Sequence, residues 1–97
     1  MPRLFDIYKR EQELFLVRHV AGEKHLFLTL IKPNGEVADG CKYEVKEEGV
    51  LGEGYLTCIF WEEFNSEFKL VRHSYYQEYL YKLKVLRDKL LLFIRTL

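Results

Sequence analysis

Residues 3–32 read RLFDIYKREQELFLVRHVAGEKHLFLTLIK. Three runs rich in aromatic and branched side chains, 3–10, 13–20 and 24–32, are separated by two polar breaks, Glu11-Gln12 and Ala21-Gly22-Glu23. Runs of this composition between short breaks read as strands of an antiparallel meander. With Glu11-Gln12 as the first hairpin loop, Ile7 faces Leu16, Tyr8 faces Phe15 and Arg10 faces Glu13, even though the favoured Asn-Gly is missing. With Ala21-Gly22-Glu23 as the second loop, Leu16 faces Leu28 and Leu14 faces Leu30. That register gathers Phe5, Ile7, Leu14, Leu16, Leu26, Leu28 and Leu30 on one side, and a slip of one residue would scatter them.

The opposite side of the same strands then carries Leu4, Tyr8, Phe15, Val17, Phe27 and Ile31. A sheet with one wet side alternates apolar with polar residues, and this pattern is oily on both. The second side therefore requires a cover: the later strands, a second copy of the chain, or a partner.

Beyond this stretch, Pro33-Asn34-Gly35 is a turn signal, with proline presetting one dihedral and glycine tolerating positive φ. Residues 42–46 alternate as a short strand, and 55–61 and 64–72 read as two more. Glycines 40, 49, 52 and 54 punctuate loops in between.

The C-terminal segment has a different period. Ser74 followed by Gln77 is a capping-box pattern. After it, Tyr76, Tyr79, Leu83, Leu86, Leu90, Phe93 and Leu97 recur at spacings of three and four, and no Pro or Gly interrupts residues 75–97. This is a helix with an apolar seam sustained over about three heptads. Leu90 through Ile94 are apolar in succession, so this end is oily all round, and a helix apolar on every side is covered on every side. A small sheet covers only one flank. The expectation is an α+β fold in one domain, residues 1–97. An antiparallel meander of five or six strands (3–72) precedes one long C-terminal helix (75–97) packed on the sheet. A two-fold homodimer through Tyr79, Leu83, Leu86, Leu90, Phe93 and Leu97 completes it.

Composition narrows the function classes. The 97 residues are 48% hydrophobic and 31% charged, with 15 basic and 15 acidic side chains. The balance hides a segregation: net +2 over residues 1–35, −7 over 36–67 and +5 over 68–97. A global attraction to phosphate is thereby excluded, while a local one through the basic C-terminal segment is not. No apolar run approaches the ~20 residues of a membrane span. The first residues lack a secretion-signal pattern, and two cysteines make no disulfide framework, which reads as an intracellular, cytoplasmic chain. Few Asn, Gln, Cys and Met beside many Glu, Lys and Arg resemble a thermophile protein or a viral accessory protein from such a host.

Reactive residue types are present without the spacing that chemistry needs. His19, His25, His73, Cys41 and Cys58 contain no Cys-x-x-Cys or His-x-x-x-His pair, so no metal site is expected. Cys58, among apolar neighbours, reads as a buried thiol, and Cys41 as the more exposed one. Glu47-Glu48 and Glu62-Glu63 are adjacent pairs that would point to opposite faces of a strand. Glu44-Val45-Lys46 matches half of a nuclease signature by chance. The glycines of 49–54 lack the Lys-Ser/Thr and following helix of a phosphate loop. No catalytic residue and no cofactor is expected.

The function expected from these residues is a non-enzymatic, homodimeric protein-interaction or regulatory module. Its partner surface would be Trp61, Glu62, Glu63 and Phe64, aromatic anchors set among acids. The rival expectation is a single-stranded nucleic-acid-binding protein using Lys82, Lys84, Arg87 and Lys89 with the sheet aromatics Tyr8, Phe15 and Phe27.

Overall fold

The computed structural model describes residues 1–49 and 56–96. The first hairpin closes as the pattern requires. Strands β1 (Asp6–Arg10) and β2 (Glu13–Gly22) place Ile7 opposite Leu16, Tyr8 opposite Phe15 and Arg10 opposite Glu13. Such a tight loop needs left-handed backbone, and without a glycine Glu11 adopts it at φ 54°.

Strand β3 (His25–Ile31) pairs with β2 one residue away from the expected register: Leu14 faces Ile31, Leu16 faces Thr29 and Val17 faces Leu28. The cause is a tighter loop. Gly22 pairs with His25, leaving only Glu23-Lys24 to turn, and irregularities between Val17 and His19 and between Val20 and Gly22 absorb the extra residues of β2. Because both sides of these strands are apolar, the slip costs no burial. Leu26, Leu28 and Leu30 join Tyr8, Phe15 and Val17, while Ile31 joins Ile7, Leu14 and Leu16.

After β3, the Lys32 carbonyl accepts the Gly35 N–H at 2.8 Å, Gly35 takes φ 89°, and the chain returns beside β3 through Ala38 N–H to Leu30 O at 2.9 Å. Strand β4 (Tyr43–Lys46) continues the antiparallel sheet, and β5 (Thr57–Phe60) joins it in parallel. Residues 50–55, which contain most of the glycine-rich stretch and the expected start of the 55–61 strand, lie outside the described residues.

The expected strand over 64–72 is instead a short helix followed by a strand, α1 (Trp61–Glu67) and β6 (Lys69–His73). Trp61, Phe64 and Phe68 recur at spacings of three and four, a helical stripe, and Glu62 and Glu63 sit in the first turn, where the helix dipole favours acids. Phe64 and Phe68 are buried over Phe15, Val17, Leu28 and Val45. Their rings meet Tyr8 at 4.9 Å and Phe15 at 5.5 Å respectively. This helix is the cover that the second apolar side required. It carries the chain to the far edge of a six-stranded sheet ordered β5-β4-β3-β2-β1-β6.

The final element, α2 (Tyr75–Thr96), starts at the expected cap: Gln77 N–H donates to Ser74 Oγ at 3.3 Å. The chain is thus an α+β protein with a mostly antiparallel sheet and one long C-terminal helix. Contact between that helix and the sheet is confined to the helix's N-terminal half. Tyr81 meets Phe5 at 5.6 Å between ring centroids, and Gln77, Leu80, Tyr81 and Lys84 form one wall of a cleft of about 350 Å³ against Leu4, Phe5, Arg18 and His19. No residue of α2 is buried. At about 1.5 Å per residue the helix is roughly 33 Å long, and the molecule measures 51 × 32 × 23 Å. Its radius of gyration, 15.4 Å, exceeds the roughly 13 Å of a compact chain of this size.

Candidate functional site

Two flanks of α2 differ in what they meet. Residues step about 100° around a helix axis, so Gln77, Tyr81, Lys84 and Val85 share the flank that rests near Phe5. Tyr76, Tyr79, Leu83, Leu86, Leu90 and Phe93 share the other flank, where they are between 43% and 68% exposed, and all but Tyr76, which lines a cavity with Ile7 and Leu14, are turned away from the sheet. Past Val85 the helix has left the sheet, and Leu91, Leu92 and Ile94 are exposed as well. The expected seam therefore exists as a continuous apolar surface facing solvent. Leu97, its last expected member, lies outside the described residues.

Cations border the seam. Lys82 lies 3.5 Å from Glu78 and Arg87 3.7 Å from Asp88, both within the helix. Among the described residues, Lys84, Lys89 and Arg95 have no ion pair. The acids of the middle segment are engaged elsewhere: Glu67 and Glu63 hold Arg10 at 2.8 and 3.8 Å, and Glu47 holds Lys24 at 3.1 Å. Among the described residues, these acids pair with cations of the N-terminal strands, and no acid of 36–67 pairs with a cation of α2.

Where α2 begins, three residues distant in sequence converge. His73 at the end of β6 places Nδ1 2.7 Å from Asp6 Oδ1 on β1, and Nε2 3.0 Å from Glu78 Oε2 on α2. Hydrogen bonding to Glu78, then to Asp6, raises the His73 pKa above its ordinary 6.5. The same bond to His73 lowers the Glu78 carboxyl below its ordinary value. Ser74 N–H donates to Phe5 O at 2.8 Å beside this cluster. Nothing in the spacing of Asp6, His73 and Glu78 announces the grouping, since only the β1–β6 pairing brings the first two together.

The remaining expected sites fare differently. Of Trp61, Glu62, Glu63 and Phe64, only the two glutamates are exposed. Phe64 is a core residue, and Trp61 is half-buried and stacked on it at 5.6 Å, so neither stands free as an anchor. Tyr8 and Phe15 lie beneath α1 and are closed to a stacking base. Lys82, Lys84, Arg87 and Lys89 are exposed beside four exposed tyrosines, 75, 76, 79 and 81.

The histidines disperse. His19 and His25 flank Phe27, and His25 hydrogen-bonds the buried Glu44 at 2.8 Å. Among the described residues no group of three His, Cys, Asp or Glu is placed to hold a metal ion. Both cysteines are free thiols, and their expected exposures are reversed: Cys58 is exposed on the edge strand β5, and Cys41 is half-buried near the Thr29 hydroxyl. No helix among the described residues is long and apolar enough to cross a membrane. No protein family, curated relative or solved structure matches the chain.

Proposed function

We propose that this protein is a non-enzymatic interaction module that works as a homodimer assembled through α2. The observation that carries the reading is a 22-residue helix with no buried residue whose outward flank is apolar over its whole length. At the exposures observed, the six seam side chains offer about 100 Å² each, so roughly 600 Å² per copy, close to the ~800 Å² per partner of a standard interface. Two such faces correspond to roughly 30 kcal/mol gross at about 25 cal/mol per Å². The association cost of about 4–15 kcal/mol, side-chain ordering and desolvation of the tyrosine hydroxyls all come off this gross figure, so the area supports association without fixing its strength.

The flanking cations oppose this. Lys82, Arg87 and Lys89 occupy the positions that meet a partner helix's flanks, and two copies would bring like charges together. Exposed like-charge pairs cost only about 0.2–0.5 kcal/mol each, so burial wins. The test is sedimentation of the wild type and Leu90→Glu. A dimer that becomes a folded monomer on substitution supports the reading, and a wild-type monomer at high micromolar concentration defeats it.

Single-stranded nucleic-acid binding is the second reading, favoured by exposed tyrosines 75, 76, 79 and 81 in the first turns of α2 followed by Lys82, Lys84, Arg87 and Lys89. The platform would be the helix itself, since the sheet aromatics Tyr8 and Phe15 are buried. Titration with an unstructured oligonucleotide at low salt decides it.

A further inference from the structure

Both ring nitrogens of His73 face carboxylate oxygens, Asp6 Oδ1 at 2.7 Å and Glu78 Oε2 at 3.0 Å. A neutral imidazole carries one N–H and one lone pair, so it satisfies one of these acceptors and turns its lone pair on the other. Only the imidazolium donates to both. The cluster joins β1, β6 and α2, and it is sheltered: the side chains of Asp6, His73 and Glu78 are 5%, 10% and 33% exposed.

We propose that protonated His73 is a latch fastening the first turn of α2 to the sheet, and that loss of its proton releases Glu78 and loosens the helix that carries the self-association face. This rests on the reading of α2 as the interface.

The geometry decides which bond yields. Asp6 is the more buried carboxylate, and its second oxygen accepts the Arg3 backbone N–H at 2.9 Å, so it stays in place. Glu78 has other options, water on its exposed side and the Lys82 ammonium 3.5 Å from its other oxygen. The neutral ring therefore keeps its N–H on Asp6 and presents a lone pair to Glu78. The groups facing His73 are Asp6 from β1, the Arg3 guanidinium 3.9 Å from Asp6, and, from α2, Glu78, Lys82 behind it and the Tyr75 ring edge-on at 4.7 Å. The bonds to Glu78 and Asp6 favour the proton, burial of the ring and then Arg3 work against it, and the carboxylates prevail.

The experiment measures amide hydrogen exchange in residues 76–82 relative to the core amides of Phe15, Leu16 and Val17, corrected for intrinsic rates, at about pH 5.5 and about pH 8.5. Wild type is expected to lose protection severalfold in the first turns of α2 at the higher pH. Glu78→Gln, a near-isosteric substitution at a half-buried position, is expected to lower the His73 titration midpoint seen by NMR and to remove the pH-dependent change. Equal relative protection at both pH values in wild type, or an unaltered pH response in Glu78→Gln, overturns the latch. Sedimentation of the same samples keeps the two readings apart. A monomer throughout removes the dimer, while the exchange data still judge the latch.

Discussion

The Phe5 ring meets the Tyr81 ring at 5.6 Å and 51°, an aromatic contact between α2 and the body of the protein. Phe5 reaches that place from a backbone at φ 72°, a left-handed conformation unusual for an aromatic residue, held by its N–H on Val17 O at 2.9 Å and its carbonyl on Ser74 N–H. Together with the His73–Glu78 bond, this contact attaches the helix near its start, and its far half extends into solvent. Tyr81→Ala is expected to reduce the free energy of unfolding by about 1 kcal/mol, the scale of one aromatic pair. Urea denaturation measures it, and a loss of several kcal/mol would mean that Tyr81 holds α2 to the sheet by far more than this ring pair.

Phe64 and Glu62 lie on opposite sides of α1, one sealing the core and the other in water. Phe64→Ala is expected to cost about 3–5 kcal/mol through lost burial and the cavity left under Tyr8 and Phe68. Glu62→Ala is expected to stay within about 0.5 kcal/mol of wild type. Chemical denaturation of the two variants compares them directly, and similar costs would remove α1 as the cover of the sheet.

Salt separates the two functional readings by sign. Self-association through a seam flanked by Lys82, Arg87 and Lys89 is expected to tighten as salt rises, because screening weakens like-charge repulsion and leaves apolar burial intact. Nucleic-acid binding through the same cations weakens steeply with salt. Sedimentation and oligonucleotide titration across a salt series supply both slopes, and a dimer that dissociates with added salt contradicts the proposed seam.

Stability should follow pH through the His73 cluster. Hydrogen bonds to Glu78 and Asp6 raise the folded His73 pKa above 6.5, so its contribution is complete below that value and is lost as pH rises through the raised one. Glu78 is shifted down from 4.5 by its bond to His73, so its contribution is present above 4.5 and is lost as pH falls through the lowered value. The cluster therefore stabilises most between these limits. The melting temperature of wild type is expected to exceed that of His73→Gln most near pH 6 and to approach it in alkaline buffer. A gap between the two that is constant with pH would disconnect the cluster from stability.

Some of this architecture was legible locally. The β1–β2 register follows from a two-residue loop and alternating side chains, both encoded within eleven residues of one another. The start of α2 follows from Ser74 and Gln77, and its seam from spacings of three and four. The α1 stripe of Trp61, Phe64 and Phe68 was also present in the sequence, but α1 is only seven residues long and set between strand-like runs, too short for periodicity alone to separate helix from strand. The slip between β2 and β3 was hidden for another reason: with leucines and aromatics on both sides, either register buries comparable surface. The Asp6–His73–Glu78 cluster spans 67 positions between its first two members, and no local pattern records it.

The chain's order alone therefore determined which segments become strands of the first hairpin, where the last helix begins, and that this helix carries a continuous apolar stripe bordered by cations, because each is set by neighbours a few residues apart. Tertiary structure decided which side of the sheet each leucine occupies, that a short helix covers one of those sides, and that α2 turns its stripe outward. Those outcomes depend on competition among distant surfaces of similar apolarity, and it is settled only when loops, bulges and the Phe5–Tyr81 and His73–Glu78 contacts hold the elements in place together.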